Sequence, residues 1–540
     1  PHPINSRSMR VTLALCLLAT RPATCLVRGL PGRSRSAGLF SAGRRATTRP
    51  RLNAGLLDDM AAAVRGVSTG GGGGGAPTLE FAPVESAAVG DWDSLKTTLA
   101  ASPTFKRMEA EAELRATGAG PAHTDNKLRL FGKSEGDVRV TLYRDHAGWC
   151  PYCQKVWLLL EEKQIPYKIE KVPMRSYGDK PEWFLRKVPS GLLPVIELDG
   201  EMITESLVIM QILDQTFPDN PALPAGDSPQ FQRANALLKL ERELFGAWCE
   251  LTFRPGMGPF GARAVSSFSE CMDRVDQALG ETDGPWFLGS ESPSIVDMQY
   301  ISHVERMAAS VLYWKGIQLR NTERYPNLEA WFSAFEERSS YMATKSDYYT
   351  HIMDIPPQYG PAYSNEESKT PAAEIDGSAG SWGLPLPPAS LTALEPVIPH
   401  PTPGLEMSAA DAEEAARHEA ARKLCSNHGP VTRFAARGAG KPGRKRFGAP
   451  LADPYAEPAE DCAPDLDLAL RHVVDALLTG EHDADAIQAD LAAHVKDPEA
   501  TKVSVEYLRD RVGVPRDMSY PAARQFRAHL NLAVDALRKV

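Results

Sequence analysis

The sequence predicts an α/β domain, an all-helical domain after it, and a further helical unit at the C-terminal end. Three observations predict this. Between Val138 and Phe217, short runs that alternate apolar and polar residues are interleaved with segments of helical period. From Ser228 to about Ser346 the pattern is helical throughout, as in Phe231-Ala234-Leu237-Leu238 and Trp331-Phe332-Phe335. Residues 349–405 are then rich in Pro, Gly and Ser, which reads as a linker before the last helical stretch, 406–540.

The elements follow in order. Val138 to Tyr143 alternates as a strand does, and Gln154 to Lys163 carries Val156, Leu159 and Leu160 at helical spacing. Pro166 breaks the chain before a second strand, Tyr167 to Val172. Lys180 to Lys187 opens a short helix with Pro181 in its first turn. Pro194–Leu198 and Glu201–Thr204 are strands joined by Asp199-Gly200, a strong two-residue hairpin signal. Ser206 to Phe217 reads as a helix ended by Pro218. The order βαβαββα, over residues 127–218, is thioredoxin-like. In the helical domain, residues 228–348, Ser294 to Asp297 forms a capping box, and Pro356-Pro357 is expected to stop any helix. The extension, 406–540, starts with a Ser408 cap. Its amphipathic helices are predicted near Leu466–Leu478, Asp485–Val495, Val503–Val512 and Pro521–Leu537. His472 and His494 face apolar neighbours there and read as structural.

At the other end, residues 1–68 read as a targeting sequence. A short apolar core, Val11 to Ala19, is followed by an acid-free stretch rich in Arg, Ser, Thr and Ala. Such a two-part leader resembles those of plastids acquired from a eukaryotic alga, so a chloroplast or plastid location is expected; the secretory pathway is the alternative. Residues 69–126 hold a glycine run, Gly70 to Gly75, and two short helices expected to pack on the next domain.

The formal net charge is -9, and residues 1–67 contain eleven arginines against only Asp58 and Asp59. The body is therefore more acidic than the whole, which argues against nucleic acid or an anionic membrane surface as a partner. No stretch beyond the leader reaches about 18 consecutive apolar residues, so no membrane span is predicted. Of the eight cysteines, Cys150 and Cys153 form the close pair of the body, which excludes a disulfide scaffold.

That pair sits in Trp149-Cys150-Pro151-Tyr152-Cys153, where a strand ends and a helix begins. Unpaired backbone N–H groups and the helix dipole at such a place favour a negative sulfur. The thiolate is the reactive form of cysteine, so the stretch points to redox or thiol chemistry. A structural disulfide or half of a zinc site are the alternatives. Zinc usually requires a second Cys/His pair at short spacing, and the next cysteine, Cys249, stands alone. No metal is expected.

Taken together, Cys150-Pro151-Tyr152-Cys153, Lys180-Pro181-Glu182-Trp183-Phe184, Gly191-Leu192-Leu193-Pro194-Val195, Glu205-Ser206 and the Ser294–Asp297 box resemble the glutathione transferase superfamily. The likeness runs from about Val138 to Tyr348. Within the superfamily the chain is most similar to the cysteine-type classes: omega, lambda and dehydroascorbate reductase. The resemblance implies glutathione as co-substrate and Cys150 as the catalytic thiol, with Cys153 either resolving a disulfide or tuning its neighbour. Pro194 would be cis and turn the backbone of Leu193 towards the tripeptide. Glu205 would hold the ligand amine and Ser206 its carboxylate at a helix start; read from the residues alone, the two are an N-cap. Lys180 would contact the glycyl end, and Tyr152 with Trp149 would line the entrance.

The implied activity is a glutathione-dependent thiol transferase or reductase acting through a Cys150 mixed disulfide on a small-molecule or protein acceptor. The alternatives are glutathione conjugation to electrophiles, or a non-catalytic scaffold subunit of a plastid assembly. An acceptor pocket is expected between the domains, near Phe245, Trp248 and Phe253, though their spacing also fits helix core. A homodimer, and docking of the extension to another protein, complete the expected partners.

Overall fold

The computed structural model describes residues 81–174, 177–256, 258–398, 407–443 and 451–540. The leader reading of residues 1–68 and the glycine run lie outside the described residues. The described chain belongs to one compact unit spanning Ala54–Val540.

Its α/β part is a five-stranded mixed sheet in the order β1-β3-β2-β4-β5. The strands are β1 (Leu128–Arg129), β2 (Val140–Asp145), β3 (Tyr167–Val172), β4 (Val195–Leu198) and β5 (Glu201–Thr204). β2 runs parallel to β3 and antiparallel to β4, with Tyr143 opposite Val195 and Asp145 opposite Val172. The Asp199-Gly200 turn between β4 and β5 has φ of 52° and 89° at its two residues. Positive φ at both is what the Asp-Gly pair tolerates, and it matches the strand twist. Helices α1 (Trp92–Ala101) and α2 (Pro103–Ala116) precede the sheet; α3 (Pro151–Glu162), α4 (Glu182–Lys187) and α5 (Ser206–Thr216) are threaded through it. Val140, Leu142, Val156, Leu159 and Leu160 are fully buried between β2 and α3.

The helical domain is α6 (Pro229–Phe253), α7 (Pro259–Gly280), α8 (Ile295–Lys315), α9 (Pro326–Glu336) and α10 (Ser339–Met342). Helix α8 is buried along nearly its whole length. Its capping box is realised: the Asp297 carboxylate accepts from Ser294 N at 2.8 Å, and also from Phe287 N at 3.1 Å and Trp331 Nε1 at 3.0 Å. A buried carboxylate is tolerated here because each of its oxygens is hydrogen-bonded.

The expected linker 349–405 is corrected. Helix α11 (Tyr348–Tyr359) runs through Pro356-Pro357 and ends only at Gly360, whose φ is 105°. A second helix, α12 (Lys369–Ile375), follows, and Trp382 and Val397 are buried. A proline inside a helix costs about 3 kcal/mol. Burial of Tyr348, Tyr349, His351, Ile352 and Ile355 in the shared core offsets that cost.

The separateness of 406–540 is also corrected. Helices α13 (Ala409–Ala435), α14 (Ala463–Thr479), α15 (Ala484–His494), α16 (Pro498–Arg509) and α17 (Tyr520–Leu537) do enclose a core of their own, including Leu466, Leu470, Val473, Leu491, Val505 and Leu530. Trp92, Leu95 and Leu99 of α1 belong to the same core. Trp92 Nε1 donates to Asp467 at 2.7 Å, and the Trp92 ring stacks on His428 at 4.3 Å. So the N-terminal helices pack chiefly into the extension rather than onto the α/β domain that follows them. The whole is joined to the helical domain and α11 through buried polar contacts. Arg527 donates to Asp347 at 2.5 Å, Val514 N to Thr350 at 3.1 Å, and Tyr349 Oη to the Asp510 carbonyl at 3.2 Å. His472 and His494 are satisfied by Asp490, at 2.7 Å and 2.9 Å.

Candidate functional site

Cys150 is the residue that caps α3, with Pro151 in the first turn. Its thiol is half-buried, whereas Cys153, one turn on, is 1% exposed. The two sulfurs and the carboxylate of Asp145 lie within 4.8 Å of one another. A hydrogen bond from Cys153 holds the Cys150 thiol below the usual cysteine range, helped by the backbone N–H groups of Cys153 and Tyr152. Burial, with the neighbouring Cys150 charge, pushes Cys153 well up. The pair is therefore polarised. Cys150 is the sulfur that ionises first, and Cys153 is the donor beside it. Both cysteines are free thiols.

The sheet register explains why the other predicted residues gather nearby. β2 ends at Asp145, and Val195, opposite Tyr143, is preceded by the cis Leu193–Pro194 bond. Val195 also faces Thr204, so Glu205 and Ser206 follow at the same sheet end. Glu205 is exposed and has a φ of 68°, a region that a non-glycine residue seldom occupies. Such outliers concentrate where a ligand is handled. Ser206 opens α5. Lys180, beyond the end of β3, donates to the Pro173 carbonyl at 2.8 Å. Burial lowers its pKa, while the two cysteine sulfurs act to raise it, which places its ammonium in their field.

Tyr152 turns the other way. Its ring meets His303 edge-on at 5.5 Å, and the Lys155 ammonium sits 4.9 Å over its face. Lys155 is fully buried, donates to Gln299 at 2.9 Å, and is pushed down to about 8 by burial. Trp149 is likewise a packing residue, only 1% exposed. Of the expected acceptor aromatics, Trp248 and Phe245 are buried, and both pack against Tyr359. These rings are core.

Several residues at the site carry no sequence motif. Trp149 Nε1 donates to His351 at 3.0 Å, and His351 bonds Glu305 at 2.8 Å. Burial alone would raise Glu305; the His351 bond and the charges of His351 and Arg306 bring it to about 2 instead. Arg306 also holds the Trp149 carbonyl and donates to Gln154 at 2.8 Å. Helices α8 and α11 thus clamp the Cys150 loop from a distance of more than 150 residues along the chain. Asp145 is the other missed residue: its Oδ2 accepts from Trp149 N at 2.8 Å. A strand-ending acid five residues before a cysteine gives no signal that it will turn back towards that cysteine. A cavity of about 130 Å³ adjoins the loop, lined by His146, Tyr177, Tyr349, Asp354, Arg437 and Arg516 among others. His146 is neutral, its pKa lowered by burial to about 3, and both its ring nitrogens lack a partner.

The family profile described as "Glutathione S-transferase, N-terminal domain" matches residues 149–216, and that of the C-terminal domain matches 259–334. Glutathione S-transferase L1 of Arabidopsis thaliana is 30% identical over 241 residues, covering 44% of this chain and 90% of that protein. The chain belongs to the glutathione S-transferase family. Glutathione S-transferase DHAR2 of Arabidopsis thaliana is 28% identical over 37% of this chain and 86% of its own. Among solved structures, a Chlamydomonas reinhardtii dehydroascorbate reductase aligns over 38% of this chain and 93% of its own, at 22% identity and a TM-score of 0.32. The cysteine-type transferase is thus an enzyme of a thioredoxin-like domain and a helical domain, carrying further helices outside both matched ranges.

Proposed function

We propose that this transferase moves thiols through a mixed disulfide on Cys150, reducing disulfide or dehydroascorbate-like acceptors with glutathione. The polarised pair carries the reading: a half-exposed thiol of lowered pKa faces a buried, protonated one. In this mechanism the Cys150 thiolate attacks a glutathionylated acceptor, forming the Cys150–glutathione disulfide and expelling the acceptor thiolate. A second glutathione thiolate then attacks the bound glutathione sulfur, releasing oxidised glutathione and restoring Cys150. Cys153 supplies the hydrogen bond that keeps more of Cys150 as thiolate and makes it a better leaving group. Glutathione lies along Leu193, with Glu205 at its amine, Ser206 at a carboxylate and Lys180 near its glycyl end. The gathering of these residues at one sheet end supports that placement. A plastid compartment follows from the reading of residues 1–68, and the import of a fluorescent fusion tests it.

The experiment is a panel with glutathione and hydroxyethyl disulfide, dehydroascorbate or a chlorinated aromatic. Activity is expected with the first two and is expected to fall to background in Cys150→Ser. Unchanged activity in that variant sinks the mechanism, and turnover confined to the chlorinated aromatic assigns the enzyme to conjugation.

A further inference from the structure

The Asp145 carboxylate is fully buried, and among the described residues it has no ion-pair partner. Its Oδ2 is taken by Trp149 N, but Oδ1 has no hydrogen-bond partner at all. Arg144, the nearest guanidinium along the chain, turns Nη1 and Nη2 to carbonyls, those of Asp145 at 2.7 Å and Thr124 at 2.8 Å, and its buried Nε is also without a partner. A buried acceptor without a partner is unfavourable and points to something that is bound there at times. A carboxylate oxygen of Asp145 and the two sulfurs all lie within 4.8 Å of one another, natural company for a cation. No other such cluster of donors occurs among the described residues.

The geometry points to a second capacity of this site: reversible binding of one zinc-like divalent cation by the Asp145 carboxylate and the Cys150 and Cys153 sulfurs. Two thiolates and a carboxylate are a donor set suited to zinc, at roughly 2.3 Å for sulfur and roughly 2.0–2.2 Å for oxygen. Ligands of one tetrahedral ion stand roughly 3.3–3.8 Å apart on those bond lengths, so a small side-chain rotation closes the site. A fourth position remains for water or for a thiolate such as that of glutathione. On binding, both thiols release their protons to solvent and no electrons move. The bound metal occupies the Cys150 sulfur, so it also shields the thiol from attack and from oxidation. The spacing Asp-x4-Cys-x2-Cys replaces the second Cys/His pair whose absence argued against zinc in the sequence.

Titrating the reduced full-length protein with Co2+ tests this. One Co2+ per chain is expected, with sulfur-to-cobalt charge-transfer absorption and tetrahedral d–d bands, all displaced by Zn2+. Cys153→Ala should weaken binding well beyond the roughly ten- to hundred-fold that outer-shell changes cost. Asp145→Asn should weaken it by at least about tenfold. Zinc K-edge absorption on the unmodified protein, free of glutathione and other added thiols, should find two sulfur neighbours and lighter atoms, a readout that stands even if a variant misfolds. No charge-transfer band at saturation, the same band in Cys153→Ala, equal affinity in Asp145→Asn, or a sulfur count other than two would each overturn the proposal. Metal binding and thiol transfer are read separately, so either reading can fail while the other stands.

Discussion

Replacing Arg527 by Met should loosen the extension from the transferase body. The Arg527 guanidinium and the Asp347 carboxylate are 2% and 0% exposed, and Nη1 meets Oδ2 at 2.5 Å. Arg527 also donates to the Val512 carbonyl at 2.9 Å and lies 4.6 Å over the Tyr349 ring. Asp347 in turn caps α11 through Thr350 N at 3.1 Å. Methionine keeps most of the apolar stem but leaves a buried carboxylate held by a single N–H. Removing one partner of a buried pair costs about 3–5 kcal/mol, chiefly because the other charge is stranded. Asp347→Asn removes that charge while keeping a good cap. The double variant should therefore regain most of the loss, ending within about 1–2 kcal/mol of the parent. Native-state hydrogen exchange across α11 and α17, with urea unfolding of all four proteins, measures this cycle. The reasoning is refuted by a loss below about 1 kcal/mol in Arg527→Met, or by a double variant as unstable as the two single losses added together.

Two further outcomes are expected. Cys153→Ala removes the hydrogen bond that does most to lower the Cys150 pKa, so the midpoint for alkylation of Cys150 should move to higher pH; an unmoved midpoint would mean the helix terminus alone activates it. Asp354 is pushed up to about 7 by burial, with Asp145 acting in the same direction and Arg516 against it. Its folded pKa exceeds its unfolded value, so the stability it contributes is full below about 4 and is lost as pH rises to about 7. The loss amounts to about 4 kcal/mol at 1.36 kcal/mol per unit. Asp354→Asn should flatten the fall in stability between pH 5 and 7 (roughly that window), and an unchanged slope there would refute the assignment.

Much of the site was legible because its signals are local. The Cys150 turn, the Asp199-Gly200 hairpin and the Ser294–Asp297 box each depend on dihedrals and hydrogen bonds within a few residues. A short run of sequence therefore determines them. Strand and helix order follows from periodicity in the same way. The gathering of Leu193, Glu205 and Ser206 at one sheet end needed the register, which the hairpin and the alternation together specify.

What the tertiary structure decided lies at long range. Pro356-Pro357 reads as a stop, yet the helix continues because Ile352, Ile355 and Tyr359 find a core made by other segments. The extension carries helices of legible position, but its docking rests on Arg527 meeting Asp347, 180 residues away along the chain. Asp145 is an unremarked acid in the sequence, and only the return of α3 against the end of β2 brings its carboxylate to the two sulfurs. Local propensity says which face an element offers. The partner of that face is settled by packing, and no single stretch of sequence contains it.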